Sequence, residues 1–178
     1  LANNCEVRFD TNNRLQDEPL TKIKNNCWKD ALTDWVLVCD VDELLDINQT
    51  QLKEEEKLGT SMIRSEGYDM VNMENKLDLP GMKYGARAQG DDKSYLFNKK
   101  FISEINYTPG AHESYPTGLA NYSDKAYKLY HYCYTNYDIT VEKYRACRAR
   151  RSPQDIKEGC YFYSETPEEI LDLYKQAW

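Results

Sequence analysis

The sequence predicts an α/β fold whose sheet is mixed but mostly parallel and is flanked by helices. Three observations predict it. A helix-spaced apolar set (Leu20, Ile23, Cys27, Ala31) is followed by a continuous apolar run from Trp35 to Cys39, and then by a charged segment from Gln49 to about Arg64. Helix and strand alternating in this way is the pattern of a parallel sheet covered on its faces. The later half brings loops and alternating strands, which suit an antiparallel addition to the same sheet.

Glu6 to Phe9 is a short β-prone run closed by a turn at Thr11-Asn12-Asn13. Asp17 with Pro19 close behind marks the start of the first helix. Trp35 to Cys39 has strand length and no polar interruption, the pattern of a central strand buried on both faces. Gln49 to Arg64 reads as an exposed amphipathic helical excursion, with Leu52, Leu58, Met62 and Ile63 as its sparse apolar side. Tyr68–Met73, Lys93–Phe97 and Ala126–Tyr134 are further strands. Residues 76–92 and 106–124 are punctuated by Gly and Pro, and long loops in compact domains tend to carry function. Asp138 opens a helix with Val141, Tyr144 and Cys147 on one side. Thr166, Pro167 and Glu169 are the N-cap, first-turn Pro and capping-box acid of a last helix ending near Trp178. Residues 138–178 thus form the helical C-terminal part of one domain.

At 178 residues the chain has the size of a single domain, 1–178. Its formal charge of −7 repels phosphate backbones, so nucleic acid is not an expected partner. The longest apolar run, Trp35 to Cys39, is far short of the about 20 residues that a membrane span needs. None of the six cysteines is paired at the two-residue spacing of a zinc knuckle or redox dithiol. Scattered cysteines in a chain with its own core are expected to be reduced and packed, which points to a cytoplasmic location. The sequons at Asn48, Asn106 and Asn121 would matter only in a secretory compartment.

The sharpest feature is Asp40-Val41-Asp42, where the apolar run stops. In open α/β sheets ligands bind beyond the carboxyl ends of strands. Alternate residues of an extended backbone point the same way, so two hard carboxylate ligands can share one Mg²⁺ or Mn²⁺ with positions left for phosphate oxygens. A strand-ending acidic turn is the plainer explanation of the same residues.

Lys24-Asn25-Asn26-Cys27-Trp28-Lys29, then Asp34 to Glu43, resembles the family 2-like glycosyltransferases of the GT-A fold. The likeness continues through Asp92 to Asn98, Gly110-Ala111-His112, Pro116-Thr117-Gly118, Leu129 to Tyr132 and Tyr144 to Gly159. The resemblance implies a Rossmann-like GT-A domain that moves a sugar from a nucleotide-sugar donor to a carbohydrate or glycan acceptor, with inversion. In that reading Asp40 and Asp42 hold Mn²⁺ or Mg²⁺ against the donor diphosphate, and His131 is the third metal ligand. Complete members begin with a strand and helix that build the nucleotide pocket. The chain opens near the third strand, so about 40 residues are expected to precede it, the size of a βα unit plus a strand.

Other residues have candidate roles. His112, in a Gly/Pro-flanked loop beside Glu113, positions donor or acceptor or ligates the metal in place of His131. Glu113, Asp91 and Asp92 are the candidates for the base that deprotonates the acceptor hydroxyl. Lys93 is a candidate contact to the diphosphate as a point charge. Twelve of the 15 Tyr follow residue 100, which suits either half-buried strands or sugar stacking. The basic cluster of Lys143, Arg145, Arg148, Arg150 and Arg151 complements a helix C-terminus or meets an anionic ligand.

Two other functions compete. A phosphatase-like hydrolase with Asp40 as nucleophile and Asp42 as acid/base uses the same Asp-x-Asp, but lacks the small and hydroxyl residues expected after it. A non-catalytic carbohydrate-binding remnant of the fold is the other. An EF-hand fails because Leu45 and Gln51 stand where Gly and the bidentate Glu belong.

Overall fold

The computed structural model describes residues 14, 16–72, 79–157 and 165–177. The predicted strand Glu6–Phe9 and its turn lie outside the described residues, as do Met73 and Trp178. The order of elements is α1 (Asp17–Asn26), β1 (Trp35–Leu37), β2 (Glu43–Leu45), α2 (Gln49–Lys57), β3 (Met62–Val71), β4 (Tyr84–Arg87), β5 (Leu96–Asn98), β6 (Ile102–Glu104), β7 (Thr117–Gly118), β8 (Tyr122–Tyr134), α3 (Tyr137–Arg150), α4 (Pro153–Lys157) and α5 (Pro167–Ala177).

The chain is mixed α/β, but the sheet is not mostly parallel. Its strands run in the order β1-β5-β3-β8-β2, with β4 added beside the end of β3. β3 and β8 pair in parallel, and the pairings β1–β5, β3–β5, β3–β4 and β2–β8 are all antiparallel. Only the β3–β8 pair carries the long crossover that parallel strands require. β6 and β7 form a separate two-stranded ribbon.

Two segments account for the difference from the sequence expectation. β1 ends the sheet among the described residues instead of lying at its centre. Val36 and Val38 are buried while Leu37 is half exposed, so the unbroken apolar run has a one-sided strand's alternation. The segment from Gln49 is helical only to Lys57. Asn48 caps it with a full capping box to Gln51, and Met62 and Ile63, taken as a helix face, are the buried start of β3. Tyr68–Val71 of the predicted Tyr68–Met73 lies in the longer strand β3, Ala126–Tyr134 falls in β8, and Lys93–Phe97 overlaps β5 at its end.

The core lies under the middle of the sheet, where Met62, Phe97, Ile102, Ile105 and Leu129 are essentially closed to solvent. Trp28, just after α1, closes it with its ring edge-on to Phe97 at 5.1 Å. α1 itself buries no residue, and Leu20 and Ile23 remain half exposed. A second cluster joins Val71 and Ile170 to Tyr134, Tyr137, Val141 and Tyr144, so α3 and α5 dock on the end of the sheet as part of the same body. The predicted N-terminus of α5 is built as expected: the Thr166 amide donates to Glu169 and the Glu169 amide to Thr166. Among the described residues Cys27, Cys39, Cys133 and Cys147 are in no disulfide.

Candidate functional site

The chain leaves β1 and reverses at Asp40-Val41-Asp42-Glu43 to enter β2. The reversal is tied at both ends, because the Glu43 amide donates to the Asp40 carbonyl at 3.1 Å and the Asp40 amide to Glu43 Oε2 at 3.0 Å. β2 then pairs with β8 so that Glu43 lies opposite His131, and the Tyr132 amide donates to the Asp42 carbonyl at 2.8 Å. This register carries the Asp-x-Asp turn to His131. The Nε2 of His131 stands 3.8 Å from Asp42 Oδ2.

The other ring nitrogen is fixed by β3, whose Asp69 lies opposite His131 on the far side of β8 from β2. Nδ1 lies 3.0 Å from Asp69 Oδ1 and 3.3 Å from Asp91 Oδ2, and as the hydrogen-bearing nitrogen it donates to these carboxylates. Burial works against the charge on His131, but Asp69 and Asp91 overcome it and push the imidazole up to about 12. Burial likewise opposes the charge on Asp91, yet His131 and Lys93 hold its carboxyl down to about 2. Asp91 reaches this place because Gly67 lets the turn at 89–91 press on β3. A Cβ on Gly67 would stand 2.5 Å from the Asp91 Cβ and 2.7 Å from the Ala88 carbonyl.

Lys93 is buried, and its ammonium donates to the equally buried Glu43 at 2.6 Å and lies 3.4 Å from Asp91. Burial disfavours its charge, and Glu43 more than restores it. The residue predicted to touch a diphosphate is therefore the strut under the Asp40–Glu43 turn. Lys24 pairs with Asp40 and Lys143 with Asp42, each at 2.8 Å. Against the pull of burial, Lys143 holds the Asp42 carboxyl below the ordinary range.

His112 lies on the Gly110-Ala111-His112 turn, where Gly110 has φ 75° and a Cβ would come within 2.7 Å of the His112 ring. Its Nδ1 is 2.6 Å from the Gly90 carbonyl, which can only accept, so Nδ1 carries the hydrogen and the neutral ring has its lone pair on Nε2.

These groups share one cleft of about 470 Å³. Asp40, Asp42, Lys93, His112 and His131, together with Asp91, line it. Asp92 and Glu113 do not. Asp92 is held by Arg87 at 2.6 Å and accepts from the Gly67 amide at 2.9 Å, and Glu113 accepts from Tyr115 Oη at 3.0 Å. The structure thus gathers six of the eight residues singled out for the site from the sequence and gives the other two partners elsewhere.

Sequence reasoning missed Glu43, Asp69 and Lys24 as members of the site. Their one signal is charge inside a β-prone or apolar context: Asp69 in a strand, Glu43 at the head of β2. Lys143 stood within the basic cluster, but its use at Asp42 is a tertiary fact.

Asp40, Asp42 and His131 do not bring three ligand atoms within 4.8 Å of one another, but Asp42 stands 3.8 Å from His131 Nε2, which ligates a divalent cation only after losing its proton. A different donor set lies on the Nδ1 side. Asp69, His131 and Cys133 are, among the described residues, the one group of three with ligand atoms all within 4.8 Å of one another. Cys133 Sγ is 3.1 Å from Asp69 Oδ1, and burial pushes this thiol up to about 12.

No protein-family model matches the chain, and neither a curated protein nor a solved structure does so. Among the described residues no helix is long and apolar enough to cross a membrane.

Proposed function

We propose that the chain is a metal-dependent glycosyltransferase that moves a sugar from a nucleotide-sugar donor to an acceptor hydroxyl with inversion. The observation that carries this reading is the convergence of Asp40, Asp42, His112 and His131 on one cleft, from segments up to 91 positions apart. The sugar chemistry itself rests on the sequence resemblance. Asp40, Asp42 and His131 would hold Mn²⁺ or Mg²⁺, which when bound offsets charge on a diphosphate leaving group. His131 is oriented for this by Asp69 and Asp91. His112, with its lone pair on Nε2, is our choice of base for the acceptor hydroxyl. The acceptor oxygen loses its proton to His112 and bonds to the anomeric carbon as the nucleoside diphosphate departs. Asp91, held down to about 2, is a poor proton acceptor near neutral pH. Cysteines scattered through a chain with a core of its own favour a reducing compartment, and we place the protein in the cytoplasm on that ground.

The test is a thermal-stability screen of the chain with Mn²⁺ and a panel of nucleotide sugars. One nucleoside class should raise the midpoint only with Mn²⁺ present, and the rise should vanish in the Asp40→Ala, Asp42→Ala double variant. No rise with any donor, or an equal rise in the double variant, contradicts the reading.

A second reading is favoured by the tight Asp69, His131, Cys133 group. There the ion sits on the Nδ1 side of His131, and its thiolate ligand suits Zn²⁺ better than Mg²⁺. Cys133→Ser separates the two, because it touches only this second donor set.

A further inference from the structure

Cys133 has no use where the cation sits at Nε2 of His131, yet the fold builds a place for it. β3 and β8 run in parallel with Asp69 opposite His131 and Val71 opposite Tyr134, so β8 spends three steps where β3 spends two. The extra residue bulges β8, and a bulge re-aims the side chains beside it. Cys133 lies within that stretch, and its Sγ stands 3.1 Å from Asp69 Oδ1. The same oxygen accepts from His131 Nδ1 at 3.0 Å. Two hydrogens thus fill the space between three metal-ligating atoms.

Zn²⁺ bonds nitrogen and oxygen at about 2.0–2.2 Å and thiolate sulfur at about 2.3 Å, so its tetrahedral ligands stand about 3.3–3.6 Å apart. The two measured contacts at Asp69 would open by less than about half an ångström to admit it. Asp69 and His131 are 26% and 24% exposed at their side chains, which gives an ion a way in. Asp91 Oδ2, 3.3 Å from the same nitrogen, stays outside the group of three and can hold a water on the fourth position.

We propose that Asp69, His131 and Cys133 form a Zn²⁺ site that switches His131, because the ion takes Nδ1 and leaves the ring's hydrogen on Nε2, on the side of Asp42. This rests on the second reading above, with the ion on the Nδ1 side, and needs neither Asp40 nor Asp42. A neutral imidazole has one lone pair, so ligation at one nitrogen fixes the hydrogen on the other. The hydrogens of Nδ1 and Sγ leave as the ion enters, and two positive charges replace two. Thiolate selects Zn²⁺ where carboxylate suits Mg²⁺ or Mn²⁺, so the site answers to a different metal. A zinc-loaded chain lacks the third ligand that the Mn²⁺ reading draws from Nε2.

The metal-free full chain is titrated with Co²⁺, a spectroscopic stand-in for Zn²⁺, and then with Zn²⁺. Wild type should develop a thiolate-to-cobalt charge-transfer band, and Zn²⁺ should erase it. Cys133→Ser should lose the band, and Asp69→Asn should weaken Zn²⁺ binding at least tenfold. Cys39→Ser and the Asp40→Ala, Asp42→Ala double variant should both match wild type. Circular dichroism checks that each variant keeps its fold. Nitrogen NMR of the histidine-labelled chain should show, with Zn²⁺, a metal-bound Nδ1 and a hydrogen-bearing Nε2 on His131. No band in wild type, or a band that survives Cys133→Ser, overturns the second reading and the switch with it. A band lost in the aspartate double variant does the same. Zinc held through Cys133 but ligated by Nε2 overturns the switch alone.

Discussion

Lys93 at the floor of the cleft and Lys24 and Lys143 at its rim make the same kind of bond to a carboxylate, yet burial gives them opposite uses. Lys93 and Glu43 are 4% and 1% exposed, and their pair has been taken out of water at full cost. The rim pairs remain in contact with solvent. A buried pair fixes where the Asp-x-Asp turn stands, whereas a solvent-screened pair adds little to that hold. The comparison shows that a lysine beside a candidate diphosphate site is not thereby a diphosphate ligand. Its exposure decides.

The comparison can be broken most sharply at the floor. Lys93→Met strands the Glu43 carboxylate in the interior and should cost about 3–5 kcal/mol, read from the urea midpoint. Replacing both partners, Lys93→Met with Glu43→Leu, should recover most of that loss, and a double variant as unstable as the single one would show the pair is not the cause. Gly67→Ala comes next. Its methyl would collide with Asp91, so it should cost about 1–3 kcal/mol by overpacking and loosen the hold of Asp91 on His131. A thermal midpoint within a degree of wild type would contradict the close approach of β3 and the 89–91 turn.

Acid sensitivity sharpens the same contrast. Asp91 titrates lower in the folded chain than its ordinary 3.8, at about 2. Its stabilisation is therefore complete above pH 4 and is lost as pH falls from about 4 through 2. Asp91→Asn should flatten that part of the stability curve, measured by urea unfolding at steps of pH without added metal. At the rim the effects are smallest. Lys24→Met and Lys143→Met should each shift stability by less than about 1 kcal/mol. A loss as large as that of Lys93→Met would erase the distinction between floor and rim.

Which residues gather in this cleft was more legible than its scaffold. Asp40 and Asp42 stood out because an apolar run ends on them, a local feature. The N-terminus of α5 was equally local, since Thr166, Pro167 and Glu169 solve their hydrogen bonds within one turn. Strand direction is not local. Met62 and Ile63 follow a charged helix and continue its apolar spacing, and only their pairing with β5 and β8 makes them strand. The run at Trp35–Cys39 is apolar throughout, so nothing in it tells that Leu37 faces solvent and that β1 pairs antiparallel. The partners of His131 were hidden for the same reason. Asp69 is 62 positions and Asp91 40 positions away in the chain, and nothing local ties either to His131 until β3 and its flanking turn bring it in.

His131 has the Asp69–Cys133 group beside its Nδ1 and Asp42 3.8 Å from its Nε2, and the proposed function puts the cation on the Nε2 side, with Asp40 and Asp42. Mn²⁺ titration followed by electron paramagnetic resonance tests this directly in the wild type, the Asp40→Ala, Asp42→Ala double variant and Cys133→Ser. The account predicts one bound Mn²⁺ per wild-type chain, at least a tenfold loss of affinity in the double variant, about 1.4 kcal/mol or more, and no change in Cys133→Ser. Binding that survives loss of both aspartates but fails in Cys133→Ser would contradict it and move the ion to the other side of the ring.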